Sequence, residues 1–342
     1  MSSIVQAITA IMVLFLMLPL VGMASPNSTF TELVTTTFNK HRKQVKDNLS
    51  TRNALLKYIY KKGNYRTEDG GLTIVTPLDY AANGTYQRYS DWDVLDISQS
   101  DVLTAAQYQW RQVALNVVAS GREIRINSGE SRIINLVKSR ITNAIRTFNN
   151  NFCSDMYSAG SLANQVNGLQ ALVADTNTNT VGGINANTWS FWQNTVYDAS
   201  VNSVTPGTTT IENGLMLPLW LSVDRGPGDQ PDLIVADTVY YGYYESSQVS
   251  MKRYSDAQKA KGGFTTIAYK NADVIFDGNS GIPANHMYFL NTNYLELVVH
   301  RDADLEIMED MRPVNQDGSV TPILWMGNLC CSNRKQQGVI IA

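Results

Sequence analysis

Three carboxylates near the C-terminal end are the best candidate for a reactive site. Asp302, Asp304 and Glu306 occupy alternate positions, so on a strand they would share one face. Carboxylate oxygens on one face could bind a hard cation. The segment lacks the glycine and the ligand spacing of a calcium-binding loop, which favours a solvated face or an interface. We therefore expect no metal here.

Other residues that support catalysis are scarce. No phosphate-binding glycine loop, dinucleotide fingerprint, His-Glu-x-x-His or Gly-x-Ser-x-Gly motif is present. The odd number of cysteines, two of them adjacent, suits reduced thiols better than a disulfide framework. The sequence predicts no catalytic residue, no cofactor and no enzyme activity, although a site assembled from distant loops would leave no motif. The scattered candidates are Cys153, Cys330, Cys331, His41, His286 and His300.

Composition is that of an ordinary globular chain, with 44% apolar and 17% charged residues and a net charge of -3. This balance gives no whole-chain signature of nucleic-acid or membrane-surface binding. Residues 4–24 are an exception, because they are almost wholly apolar and about long enough to span a bilayer. No lysine or arginine precedes them, as a secretory signal would require. We favour a true start at Met23 or a dispensable leader, and keep a working signal or anchor as the alternative.

Two long helices are predicted in the first half of the chain. The first covers about residues 31–62 and carries eight basic residues between Lys40 and Lys62 against one acid, Asp47. Such a run is either a solvated face or a surface that docks on an acidic neighbour or on nucleic acid. The second follows residues 127–130, a plausible capping box, and has one apolar stripe about five turns long.

An extended hairpin is predicted between these helices. Alternating apolar residues start at Leu72, a turn follows at Asn83-Gly84, and the apolar phase of the return strand changes at Gln112. A one-residue change of phase indicates a bulge or a change of environment. Because an isolated two-stranded hairpin is only marginally stable in water, a projecting hairpin must rest on something, and a second subunit is the obvious partner.

Charge is segregated between this hairpin and the first helix. The hairpin carries four aspartates between positions 91 and 101, opposed only by Arg88. Segregated charges can steer and register subunits in a repeated assembly, so we hypothesise that the acidic hairpin lies near the basic arm of a neighbour. The alternative is two ordinary solvated surfaces. The candidate interface residues are Arg88, Asp91, Trp92, Asp93 and Asp96 in the hairpin and Lys40, Arg42, Lys43 and Lys46 in the arm.

The second half of the chain alternates helix and strand. Asn185 could cap a helix that carries Trp189 and two further aromatic residues. Residues 233–236 form an apolar, buried-looking strand, and Asp237 could cap the tyrosine-rich helix that follows to about Tyr254. Further strands are predicted at 274–276, 287–290, 295–299 and 323–325.

This order of elements resembles the major capsid proteins of tailed bacteriophages, the Hong Kong 97 type of shell fold. The resemblance covers the chain from about Phe30 to the C-terminus, and its short segments are fairly specific when they occur together and in order. These segments are residues 70–75, 168–175, 181–185, 188–192, 231–237, 281–292 and 325–328.

The resemblance implies an α+β fold with an N-terminal arm, an extended β-hairpin loop, a peripheral domain with a long spine helix, and an axial domain. The apolar leader at 1–24 matches nothing in the family. The implied boundaries are 25–66 for the arm, 67–118 for the extended loop, 119–183 and 286–342 for the peripheral domain, and 184–285 for the axial domain.

It also implies a function. Subunits of this kind assemble into hexamers and pentamers of an icosahedral head that encloses double-stranded DNA without sequence specificity. The implied partners are further copies of the chain, a scaffolding protein, a portal and a head-maturation protease. The implied location is the virion capsid, and the host cytoplasm during assembly, with no membrane in the mature particle. The alternatives are a nanocompartment shell protein of the same fold and a secreted or periplasmic ligand-binding protein.

Two departures from the family pattern qualify what the resemblance implies. Some members crosslink their shells through a lysine in the extended loop, but no lysine occurs between Lys62 and Lys138, so this crosslinking is not expected here. The fold is also predicted to begin soon after Met23. That leaves no room for a long N-terminal scaffolding region and implies a separate scaffolding protein.

Overall fold

The computed structural model describes residues 53–126, 130–248, 267–277, 281–309 and 311–342. The apolar leader, most of the predicted first helix and the basic residues Lys40, Arg42, Lys43 and Lys46 lie outside these ranges, as does the predicted capping residue at 127. Within the described residues, no helix combines the length and the apolarity needed to cross a bilayer.

The described helices differ greatly in length. The longest is α3, and the short α2 before it was not predicted from the sequence. A π-helical turn at Ile211–Met216 runs directly into α5, and single 3-10 turns occur at Ser190–Trp192, Thr292–Tyr294 and Arg334–Gln336. The α-helices are α1 (Ala54–Lys62), α2 (Gly121–Ile126), α3 (Glu130–Asp155), α4 (Leu169–Leu172), α5 (Leu217–Val223) and α6 (Thr238–Ser247).

The first sheet combines strands from both ends of the chain. Its order is β1-β12-β13-β4, with β1 parallel to β12 and the other neighbours antiparallel. Helix α3 packs on one face through Ile141, Ala144, Phe148 and Phe152, the part of the predicted apolar stripe whose side chains are described. Phe148 stacks on Phe152, and Phe152 meets the edge of Trp325 at 4.8 Å between ring centroids. Burying each of these rings contributes about 2–3 kcal/mol. The strands are β1 (Tyr65–Glu68), β4 (Arg111–Ser120), β12 (Leu295–Ile307) and β13 (Gly318–Cys331).

The second sheet is buried on both faces. Its order is β7-β14-β11-β8-β10-β9. In β8, Leu233 and Val235 belong to the larger core, whereas Ile234 and Ala236 belong to the core on the opposite face. This double burial explains the unbroken apolar run in the sequence. The strands are β7 (Thr195–Asp198), β8 (Leu233–Ala236), β9 (Ile267–Tyr269), β10 (Ala272–Phe276), β11 (Met287–Leu290) and β14 (Gly338–Ile341).

Asp237 caps helix α6 as predicted. Its carboxylate accepts a hydrogen bond of 2.8 Å from the backbone N–H of Tyr240, in the first turn of the helix. The same carboxylate accepts the backbone N–H of Asn285 at 2.9 Å. The cap therefore also ties the segment before β11 to the end of β8.

The hairpin consists of β2 (Ile74–Asp79) and β3 (Leu103–Tyr108), which pair with no other strand in the described part of the chain. The predicted phase change marks the point where the return strand leaves the hairpin. β3 ends at Tyr108, and β4 starts at Arg111 and pairs with β13 of the first sheet instead. Alternation along β2 places Ile74, Thr76 and Leu78 on its buried face, while Leu72, predicted to belong to that face, is exposed. A small two-stranded ladder lies beside the hairpin base and consists of β5 (Thr180–Val181) and β6 (Ile184–Asn185). The carbonyl of Gly182, in the turn between these strands, accepts a hydrogen bond from the Gln107 N–H of the hairpin.

Candidate assembly interface

The segment between β2 and β3, residues 80–102, is called the hairpin tip here. It contains no strand and is held by local hydrogen bonds. The Gln87 side chain donates to the Val94 carbonyl at 3.0 Å and accepts from the Asp96 N–H at 3.2 Å, which bridges the two sides of the tip. The Asn83 side chain accepts from the Thr85 N–H at 3.0 Å. Side-chain to backbone bonds of this kind are typical of turns and fix the tip without a sheet.

The hairpin tip exposes large apolar side chains. Trp92 is 97% exposed and Ile97 is 94% exposed, and Tyr86, Tyr89 and Val94 are also solvent-accessible. Burying one side chain of this size stabilises a contact by about 1.5–3 kcal/mol. A contiguous apolar surface on a soluble chain marks an interaction site. The tip therefore has the composition of a surface that is covered in an assembly.

The five predicted interface residues of the hairpin all lie in this tip and are all exposed. Two of the aspartates shape the turns: Asp93 accepts the Ser90 N–H at 2.8 Å, and Asp96 accepts the Ser98 N–H at 2.9 Å. The Ser98 hydrogen bonds hold the pKa of Asp96 below its usual range, so it stays charged. The predicted contact with the basic arm stays a prediction, because the arm lies outside the described residues.

An aromatic cluster lies where the hairpin tip joins β2. Tyr80 contacts Trp189 and Phe191, with ring centroids 5.9 and 5.6 Å apart. Trp189 is 48% exposed, so part of the cluster faces solvent. The helix predicted from Asn185 is wrong. Asn185 belongs to β6, and only a single 3-10 turn carries the last two aromatic residues, because the tertiary packing of these rings overrides helical spacing.

Beside this cluster is a cleft of about 560 Å³, called the base cleft here. Arg225 and Lys335 are exposed on its lining, and Asp79 is the one acid among the lining residues. Neither Arg225 nor Lys335 forms an ion pair within the described part of the chain. The lining residues are Pro77, Leu78, Asp79, Tyr80, Phe191, Trp192, Arg225, Tyr294, Ser332, Asn333 and Lys335.

A buried arginine lies directly beneath the base cleft. Arg334 is fully buried, and its guanidinium carbon lies 5.9 Å from the ring centroid of Trp192, which lines the cleft. Its hydrogen-bond acceptors are all uncharged: the carbonyls of Leu172 and Trp192 and the amide oxygens of Asn179 and Asn194. Burial lowers the pKa of Arg334, but an arginine remains protonated at neutral pH. A positive charge without a bonded carboxylate therefore adds to the potential of the cleft.

Sequence reasoning missed this cleft. The aromatic residues at 189–192 were recognised, but as part of a helix. Arg225 precedes a Gly-Pro-Gly turn at 226–228. This turn predicts a loop, but it does not predict that the loop lines a cleft. Lys335 and Arg334 are neighbours in sequence with opposite exposures, and no local pattern distinguishes them.

The three carboxylates near the C-terminal end do not form the row that an ideal strand would give. The register of β12 on β13 shifts between Val299 and Asp304 and again between Asp304 and Glu306. Leu305 has φ +56°, which bends the strand at the bulge. No group of three or more potential metal ligands occurs among the described side chains.

The three cysteines are buried and reduced. Burial raises the pKa of Cys331 to about 12, and burial also raises the pKa of the Cys330 thiol well above its usual value. Because the thiolate is the reactive form, both groups are inert at neutral pH. This matches the sequence-based expectation of reduced thiols.

Comparison with known proteins supports the fold through structure and not through sequence. No protein-family model matches the chain, and no curated protein matches it by sequence. A chain of the cyanophage A-1(L) capsid aligns with a TM-score of 0.59 and 16% identity, covering 82% of this chain and 91% of that one. A chain of Mycobacterium phage Bobi aligns with a TM-score of 0.51 and 10% identity, covering 82% and 89%. The SrpI encapsulin of Synechococcus elongatus aligns with a TM-score of 0.49 and 10% identity, covering 81% of this chain and 84% of that one.

The chain therefore has the α+β shell fold of tailed-phage major capsid proteins, the Hong Kong 97 type. The resemblance found in the sequence is confirmed at the level of the fold.

Proposed function

We propose that this chain is the major capsid subunit of a tailed phage. Copies assemble into hexamers and pentamers that close an icosahedral head around double-stranded DNA, in the host cytoplasm, and remain in the virion. A scaffolding protein, a portal and a maturation protease act with it, and the chain itself catalyses no reaction. In domain terms, residues 25–66 are the arm, 67–118 the extended loop, 119–183 and 286–342 the peripheral domain, and 184–285 the axial domain.

The hairpin tip is the observation that carries this proposal. It belongs to a hairpin that pairs with no other sheet among the described residues, and it exposes Trp92 and Ile97 almost completely. A folded monomer gains nothing from these side chains in water. A closed shell covers them with neighbouring copies, and a structural subunit also accounts for a sequence without catalytic motifs.

The test is expression of the full chain followed by sedimentation and negative-stain electron microscopy. We expect closed particles of uniform size. Nuclease-protected DNA in particles purified from infected cells would support a phage head, whereas an enclosed enzyme would instead indicate a nanocompartment. A monomer that stays monodisperse at high concentration, with the hairpin tip protected from proteolysis, would contradict the shell function.

A further inference from the structure

The chemistry of the base cleft points to a specific occupant. We propose that the base cleft of one copy receives the hairpin tip of a neighbouring copy, with Asp91 directed at Lys335 and the apolar side chains of the tip against the aromatic cluster. This inference rests on the proposed shell function and adds the location of the contact.

Charge complementarity supports the pairing. The tip from Ser90 to Asp101 contains four aspartates and no lysine or arginine. The base cleft presents Arg225 and Lys335 against one lining acid, Asp79, and has Arg334 beneath it. Complementary potentials of this kind steer association and fix the register of a contact. The nearby Asp229 lies outside the lining, where it accepts hydrogen bonds from Tyr294 and Asn291.

The apolar surfaces are also complementary. The exposed part of Trp189 and the ring of Tyr80 offer faces and edges to which an indole can pack, at the centroid separations of about 4.5–7 Å that aromatic pairs prefer. Trp92, Val94 and Ile97 supply the matching side chains within a short segment. The cleft, of about 560 Å³, has room for single side chains of the tip and not for the whole segment.

The occupant must belong to another copy. Trp92 of the same chain is 97% exposed, so the tip does not fold back into its own cleft. The cleft is lined by the β2 residues Pro77 to Asp79 and by Tyr80, so it lies where the tip begins, and Trp92 of the same chain does not fill it. A head-to-tail contact of this kind is heterologous, and repeated around a closed ring it leaves no tip uncovered.

Crosslinking tests the contact directly. One chain carries Ser90→Cys in the tip. A second chain, made longer by a tag so that the two can be distinguished on a gel, carries Asn333→Cys in the cleft lining. Both substitutions leave Asp91 and Lys335 in place. Mixed particles are treated with a short bismaleimide. We expect a heterodimer band on a denaturing gel. The native cysteines give little background because they are buried. The matched control is Val201→Cys, which is 77% exposed and lies outside the cleft, paired with Ser90→Cys.

The outcomes separate this inference from the shell function. If the mixed chains form particles but the Ser90→Cys and Asn333→Cys pair gives no more heterodimer than the control, the docking is wrong and the shell function stands. If the thiol at position 333 is shielded without crosslinking, another segment covers the cleft and the docking of the tip is wrong. If unsubstituted chains form no particles, the shell function fails and the inference fails with it.

A charge exchange provides the second measurement, for use if a cysteine variant does not assemble. Lys335→Glu is expected to lower particle yield about tenfold, the effect of losing roughly one charge pair at each contact. Adding Asp91→Lys to the same chain is expected to restore the yield. Asp91 suits this test because Asp93 and Asp96 also hold turns. Normal assembly of Lys335→Glu, or no recovery in the double variant, would overturn the pairing.

Discussion

Replacing Arg334 with methionine is expected to lower the free energy of unfolding of the subunit by about 3–5 kcal/mol. The guanidinium donates to the Leu172 carbonyl at 2.7 Å and to the Trp192 carbonyl at 3.0 Å, and it also satisfies Asn179 and Asn194. Methionine fills part of the volume but leaves these buried acceptors without a donor. Each buried acceptor left unpaired costs about 1–3 kcal/mol, and methionine recovers part of this by removing the cost of a buried charge.

Equilibrium unfolding of the unassembled subunit in urea measures this effect. The matched control is Lys335→Met, because Lys335 is the next residue and is exposed, and its loss should change stability by no more than about 0.5 kcal/mol. Arg334→Lys should fall between the two, since one ammonium group cannot reach four acceptors arranged around a planar guanidinium. Equal stability of the Arg334→Met and Lys335→Met variants would mean that Arg334 is not structurally important.

Removal of the hairpin tip is expected to abolish particle formation while the subunit stays folded. Asp79 and Leu103 are direct partners in the β2–β3 ladder, so residues 80–102 can be replaced by Asn-Gly, which forms a two-residue hairpin turn. The tip is exposed and makes its hydrogen bonds locally, apart from the Tyr80 ring in the aromatic cluster. We therefore expect a melting temperature close to that of the unassembled wild-type subunit, and no particles by sedimentation or microscopy.

Point substitutions, which change less than removal of the whole tip, check that the exposed apolar side chains of the tip are needed for particle formation. Trp92→Ser with Ile97→Ser should impair assembly severely, because these side chains are almost fully exposed in the single chain. Leu221→Ser with Val201→Ser changes exposed apolar residues elsewhere, at 65% and 77% exposure, and serves as the control. If the shell assembles normally with the tip variants, the tip is not an assembly surface.

Local sequence patterns predicted the elements that local forces determine. The apolar run of β8 and the Asp237 cap were recognised because a strand buried on both faces and a helix N-terminus each have a short-range signature. The phase change at Gln112 correctly indicated a change of environment, although it could not say that the strand joins β13. The stripe on α3 followed from helical periodicity alone.

The features that were missed depend on contacts between distant residues. The side chain of Arg334 is held by acceptors 140 or more positions away in the chain, so its burial leaves no trace in the residues beside it. The base cleft is assembled from five separate segments. The bulge at Leu305 requires a positive φ at a leucine, which sequence patterns do not predict, and it breaks up the expected row of carboxylates.

Strand β14 has a consequence for synthesis in the cell. Gly338–Ile341 pairs with β7 on one side and with β11 on the other, so an internal strand of the second sheet is made from the last residues of this sequence. A chain that terminates early lacks that strand and leaves two rows of backbone groups without partners. The ribosome therefore delivers the hairpin tip long before the sheet can close. We expect a chain that lacks residues 338–341 to be unable to complete the second sheet.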